Sequence, residues 1–124
     1  MVTIDEAQIM LDEIAEELPR GMYKELNGGI LLLPQEKVSP HAVSNDLYIL
    51  GEYHRGGPMG RLIRIYFGSF ERLFGHLEGE AFKDQLRKTL FHEFTHHLES
   101  LAGEKGLEIE DEVKLARYRK QKGL

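Results

Sequence analysis

The chain has 124 residues, 41% of them hydrophobic and 30% charged, a composition that fits one globular domain spanning residues 1–124 and excludes the disordered and collagen-like classes. Its 16 Lys and Arg against 21 Asp and Glu leave a net charge of −5, which gives no electrostatic reason to expect nucleic acid as a partner. With no cysteine there is no disulfide, no thiolate ligand and no Cys nucleophile, so any metal must be held by His and carboxylate.

From the N-terminus, Thr3 and Glu6 have capping-box spacing, and Ala7, Met10, Leu11, Ile14 and Leu18 recur at helical intervals until Pro19. The pattern predicts an amphipathic helix over residues 4–18. The same segment is acidic where a secretory signal would be basic, and the longest aliphatic run, "ILLL" at 30–33, ends at Pro34. A cytoplasmic protein without membrane association is the expectation. A short helical piece follows around Met22 to Leu26, "NGG" at 27–29 turns the chain, "ILLL" reads as a buried strand, and residues 34–46 read as loop or edge.

"LYILGEYHR" (47–55) and "RLIRIYF" (61–67) are rich in β-formers and flank "GGPMG", which predicts a hairpin. Alternation in the second strand sends Ile63, Ile65 and Phe67 to the core and Leu62, Arg64 and Tyr66 to the other side. That strand could also pair with an extended peptide, although an ordinary sheet strand accounts for the sequence without a substrate. Ser69 is positioned to cap a short helix, "FERLFGHL", and a long helix is expected from about Ala81 to Ala102, with Gly103 as its stop. "GEKG" then turns the chain into a last helix, "EDEVKLARYRKQ", that opens with acids and closes with bases. Its cluster of Lys114, Arg117, Arg119, Lys120 and Lys122 reads as a solvated face at the negative end of the helix dipole. The order of elements predicts an α+β domain, with one small sheet and a hairpin packed on a central helix and flanked by N- and C-terminal helices.

The chemistry concentrates in "LRKTLFHEFTHHLESLAG", where His92, Glu93 and His96 spell H-E-x-x-H. On a helix, positions i and i+4 share a face with Cβ atoms about 5–6 Å apart, so two imidazoles can converge on one ion. The intervening Glu is turned toward the water that such an ion activates, as a general base requires. Composition alone gives about a 4% chance of the motif arising by accident, so its placement matters. Leu90, Phe91, Phe94, Leu98, Leu101 and Ala102 form one apolar arc, and His92, His96 and Glu99 take the opposite side. Histidines serving as core filler would sit on the arc. An idle exposed face, for its part, favours Lys, Glu or Gln, which are better helix formers.

A catalytic zinc ordinarily has three protein ligands. Glu99, at i+7 from His92, lies about 7–8 Å back along the helix from the ion's expected position, which suits a residue that orients a ligand better than a ligand itself. The third ligand is therefore expected beyond Gly103, where Glu108, Glu110, Asp111 and Glu112 are available. His97 points about 120° away from the metal face and reads as a packing residue. Tyr53, His54 and Tyr66, on the hairpin, are within conceivable reach of a transition state but fit surface or core roles better.

"TLFHEFTHHLESLAG", preceded by "YFGSFERL" and "LYILGEYHRGGPMGR", resembles the minimal zincin-like metallopeptidase family of bacteria over about residues 4–115. The resemblance implies a compact α+β core with a short sheet, an edge strand above the cleft and the active-site helix beneath. Many members of that family continue as H-E-x-x-H-x-x-G and then a "DDERL"-like acidic segment that supplies the third ligand. Here Glu99 stands in the glycine's place and the acidic segment arrives as "IEDEVKL". Alignment on it implies Asp111 as the third ligand, with Glu110 and Glu99 as alternatives.

The expected function is a zinc-dependent peptidase acting on a peptide or protein substrate, with Glu93 as base and His92, His96 and Asp111 on Zn²⁺. The alternative, from the small size of the chain, is a metal-binding or interaction module without proteolysis. A metal-dependent ribonuclease is disfavoured by the acidic balance.

Overall fold

The computed structural model describes residues 1–41 and 47–105 of the protein. The first helix, α1, spans Ile4–Glu16 and opens with the expected capping box: Thr3 Oγ1 accepts the Glu6 N–H at 3.2 Å, and the Glu6 carboxylate accepts the Thr3 N–H at 2.9 Å. It ends two residues short of Leu18, because the residue before a proline is forced away from the helical region. A single 3₁₀ turn, Arg20–Tyr23, replaces the helical piece expected at Met22 to Leu26. Tyr23 Oη donates to the Ala15 carbonyl and ties this turn back onto α1.

Strands β1 (Gly29–Leu33), β2 (Gly51–Gly57) and β3 (Gly60–Tyr66) form one sheet in the order β1-β3-β2. β2 and β3 are the predicted antiparallel hairpin, whereas β1 joins β3 in parallel. The first hairpin strand starts at Gly51 instead of residue 47, since the preceding segment pairs elsewhere: Tyr48 bridges Val38, and the Ile49 N–H donates to the Lys37 carbonyl at 2.8 Å. "RLIRIYF" is thus the central strand with a neighbour on each side. No edge is left there for an added peptide, so the ordinary sheet strand is what forms and strand addition at that sequence is ruled out.

Register places Ile30, Ile63 and Tyr53 in one cross-strand row and Leu32, Ile65 and Gly51 in the next, both on the face covered by the helices. Ile63 and Ile65 are completely buried, as alternation predicted, but Leu62 and Tyr66 on the other side are buried as well. β3 runs directly into α2 (Phe67–Phe74), so Ser69 lies inside the helix and does not cap it. Its buried hydroxyl instead accepts the Lys37 N–H at 3.0 Å. Gly68 permits this, because a Cβ there would stand 2.4 Å from the Glu36 nitrogen.

The long helix α3 runs Gly79–Lys105, starting before Ala81 and passing through Gly103. Gly103 lacks the positive φ of a helix-terminating glycine and meets no packing obstacle. Glycine in a helix interior costs only about 1 kcal/mol, so the expected stop and the turn at 103–106 give way to continued helix as far as Lys105. Phe82, Leu86, Leu90, Phe94, Leu98 and Leu101 make a buried ridge on α3, most of it joined in one core with Ala7, Leu11 and Ile14 of α1 and Ile63 and Ile65 of β3. Burying each large side chain contributes roughly 1.5–3 kcal/mol. The outer rim of the α1/α3 contact carries Arg87 to Glu17 at 2.9 Å and Lys83 to Glu13 at 3.1 Å.

The result is a compact α+β domain with a three-stranded mixed sheet on one long helix. Among the described residues no helix is long and apolar enough to cross a membrane. The expected final helix, "EDEVKLARYRKQ", and its basic cluster lie outside the described residues.

Candidate metal centre

The face of α3 opposite its apolar ridge carries the H-E-x-x-H residues. His92 and His96 are exposed, one turn apart, while Leu90, Phe94 and Leu98 are fully buried behind them. The two rings stand at 88° with centroids 4.6 Å apart, and their Nε2 atoms approach to 3.0 Å. Two donors on one zinc at about 2.0–2.1 Å and a tetrahedral angle would be about 3.3 Å apart, so the pair already has nearly the spacing an ion demands. The same 3.0 Å is also hydrogen-bond distance between the two rings, and two imidazole nitrogens are a donor type that Zn²⁺ takes.

Glu93 is set differently from its neighbours, with only 6% of its surface exposed. It lies where two clefts meet between the segment 48–55 and α3. One, of about 550 Å³, is lined by Glu52, Tyr53 and Arg55 from β2 and by Glu93, His96 and Glu99 from α3. The other, of about 510 Å³, is lined by Leu50, Gly51, Thr89, His92 and Glu93 among others. β2, the edge strand among the described residues, therefore forms one wall of a groove and the motif turn forms its floor. Gly51, at the start of β2, makes this close approach possible: a Cβ there would lie 3.0 Å from Thr89 Cγ2.

His97 is fully buried and plays another part. Its Nε2 lies 2.8 Å from the Lys24 carbonyl, which can only accept, so Nε2 carries the proton. Burial holds the imidazole below the usual histidine range, with nearby Arg61 in the same direction and the Lys24 and Glu25 contacts opposing, so the ring is neutral near pH 7. Nδ1 must then accept, and Tyr53 Oη donates to it at 2.9 Å. The Tyr53 proton is committed to this bond. Tyr66 is committed likewise, donating to Glu52 at 2.5 Å, and Glu52 also accepts from Lys37 Nζ at 2.8 Å. His54, the third hairpin residue singled out in the sequence, is exposed on β2.

The proposed third ligands fall in two places. Glu99 lines the groove beside His96, yet among the described residues no group of three His, Asp or Glu is arranged to hold one ion. Asp111 and Glu110 lie outside the described residues. Sequence reasoning missed the links between strand and helix, Tyr53 to His97 and Arg55 to Ser100 at 2.8 Å. Period-two alternation held part of the signal, because it places Tyr53 and Arg55 on one face of β2.

No protein-family model and no curated protein matches the chain. It is similar to a solved structure, a conserved hypothetical protein from Thermo thermophilus, at 30% sequence identity and a TM-score of 0.72. The likeness covers 83% of this chain and 100% of that one, so the fold of the whole neighbour is present here. The chain belongs to the same family as this conserved hypothetical protein, whose name carries no activity.

Proposed function

We propose that the protein is a zinc-dependent metallopeptidase of the minimal zincin-like kind, working in the cytoplasm on peptide or protein substrates. One observation carries the reading: His92 and His96 bring their Nε2 atoms to 3.0 Å on the floor of a groove, with the buried Glu93 beside them. The bound ion would supply Lewis-acid chemistry, polarising a carbonyl and lowering the pKa of a water toward about 7. His92 and His96 would hold it, with Asp111 as the proposed third ligand and Glu110 or Glu99 as alternatives. Holding an ion through Nε2 requires each ring to keep its proton on Nδ1. The Glu93 carboxylate takes a proton from a water in the groove and delivers it to the leaving amine nitrogen. β2, as an edge strand, is the wall against which an extended chain would lie.

Clefts of about 550 and 510 Å³ open beside these residues and give an extended substrate room to lie against the motif. The test is Glu93→Gln, assayed on a mixed peptide library with zinc added. Retained zinc with cleavage reduced by at least about 10²-fold is expected. Unchanged cleavage would overturn the mechanism.

A further inference from the structure

β2 touches α3 at three points in register. Gly51 lies against Thr89, where a Cβ would meet Thr89 Cγ2 at 3.0 Å. Tyr53 Oη donates to His97 Nδ1 at 2.9 Å, and Arg55 Nη1 donates to Ser100 Oγ at 2.8 Å. Alternate residues of the strand thus meet the helix at 89, 97 and 100, about two turns and then one turn apart, and the contacts at 89 and 97 bracket the motif turn 92–96. The middle contact is fully buried at its helix end and continues through His97 Nε2 to the Lys24 carbonyl. That carbonyl precedes Glu25, which holds a positive φ of 62° and turns the chain toward β1.

We propose that His97 is a positioning residue that clamps the edge strand β2 to α3 through Tyr53, holding the groove at a fixed width over His92, Glu93 and His96. The functional consequence rests on the peptidase reading above, whereas the clamp itself can be measured without substrate. An imidazole suits the role because its two nitrogens face opposite ways: one accepts from the strand while the other donates to the turn after the 3₁₀ segment. A shorter amide reaches one partner only. Because the ring lies on the helix flank away from the two metal-facing histidines, the clamp governs the wall of the groove and leaves the ion's donors in place.

The test uses Tyr53→Phe, which removes one hydroxyl, and His97→Asn, which keeps at most one of the two bonds. Amide hydrogen exchange is followed in the β2/β3 pairs and along Leu86 to Leu98 of α3. The expected result is β2/β3 exchange about tenfold faster in Tyr53→Phe, with α3 changed by less than about twofold. Zinc affinity should be unchanged, and on a cleaved peptide KM should rise by about the same tenfold while kcat holds. Equal acceleration in sheet and helix would mean ordinary loss of global stability and overturn the proposal, as would unchanged β2/β3 exchange. If the native protein cleaves nothing, the peptidase reading fails and the exchange result still decides the clamp.

Discussion

Gly51→Ala isolates the closest approach of strand and helix. Gly51 has no positive φ, so alanine meets no backbone objection, and replacing glycine in a strand should by itself gain about 0.5–1 kcal/mol from the unfolded state. Against this, the new Cβ would stand 3.0 Å from Thr89 Cγ2, 3.2 Å from the Arg64 carbonyl oxygen and 3.2 Å from Ile65 Cδ1. Overpacking of this kind costs about 1–3 kcal/mol, and one of the three neighbours is backbone that cannot rotate away. The expected net is a loss of up to roughly 2.5 kcal/mol in urea unfolding, read as a lower midpoint at unchanged slope. Thr89→Ser deletes the closest of the three atoms, so in the Gly51→Ala background it should return about half of the loss, a coupling of up to roughly 1 kcal/mol in a double-mutant cycle. Because Gly51 and Thr89 both line the groove beside His92, KM should rise in the single variant and recover in the double one. Additive effects with no coupling, or a Gly51→Ala protein more stable than the native one, would refute the close approach.

Phe94→Ala removes a fully buried ring that stands edge-on to Tyr23 at 5.0 Å, and should cost about 3–5 kcal/mol by thermal unfolding while leaving zinc affinity intact well below the lowered Tm. Arg87 holds the Glu17 carboxyl below its ordinary range, so this pair contributes stability above the unfolded carboxyl value of about 4.3 and loses it as pH falls through the lower folded value. With the Glu17 side chain 38% exposed, the contribution is at most about 1 kcal/mol after solvent screening. Stability measured between about pH 7 and pH 3 should therefore fall less steeply in Arg87→Ala than in the native protein, by no more than that amount. A steeper acid loss in the variant would contradict the assignment.

Much of the helical ridge was legible because burial repeats with the helix period: Leu90, Phe94, Leu98 and Leu101 were assigned to the core and are completely buried. His92 and His96 were assigned to the opposite face by the same geometry, and both are exposed there. The hairpin was legible for a comparable reason, since two β-rich runs flank a glycine-rich turn. The position of β1 was not, because a parallel neighbour is set by packing across the 17 residues between Leu33 and Gly51, and no local pattern records it. Gly103 and Ser69 misled in the same way. Each has a strong preference at helix ends, worth about 1 kcal/mol, and each was overruled by larger effects around it. Ser69 was claimed by the loop through Lys37, and Gly103 by continuation of a helix already anchored along its length. The role of His97 could not be read from spacing, for its partners Tyr53 and Lys24 lie 44 and 73 residues away.

The central claim is that two histidines on α3 hold a zinc ion. Metal content of the purified, dialysed protein measures it directly, with His92→Ala, His96→Ala and Asp111→Ala prepared alongside. About one zinc per chain is expected in the native protein, with loss in either histidine variant and at least a tenfold weaker hold in Asp111→Ala if that acid completes the site. Substoichiometric metal in the native protein after reconstitution, or zinc retained in His92→Ala and His96→Ala, would contradict it.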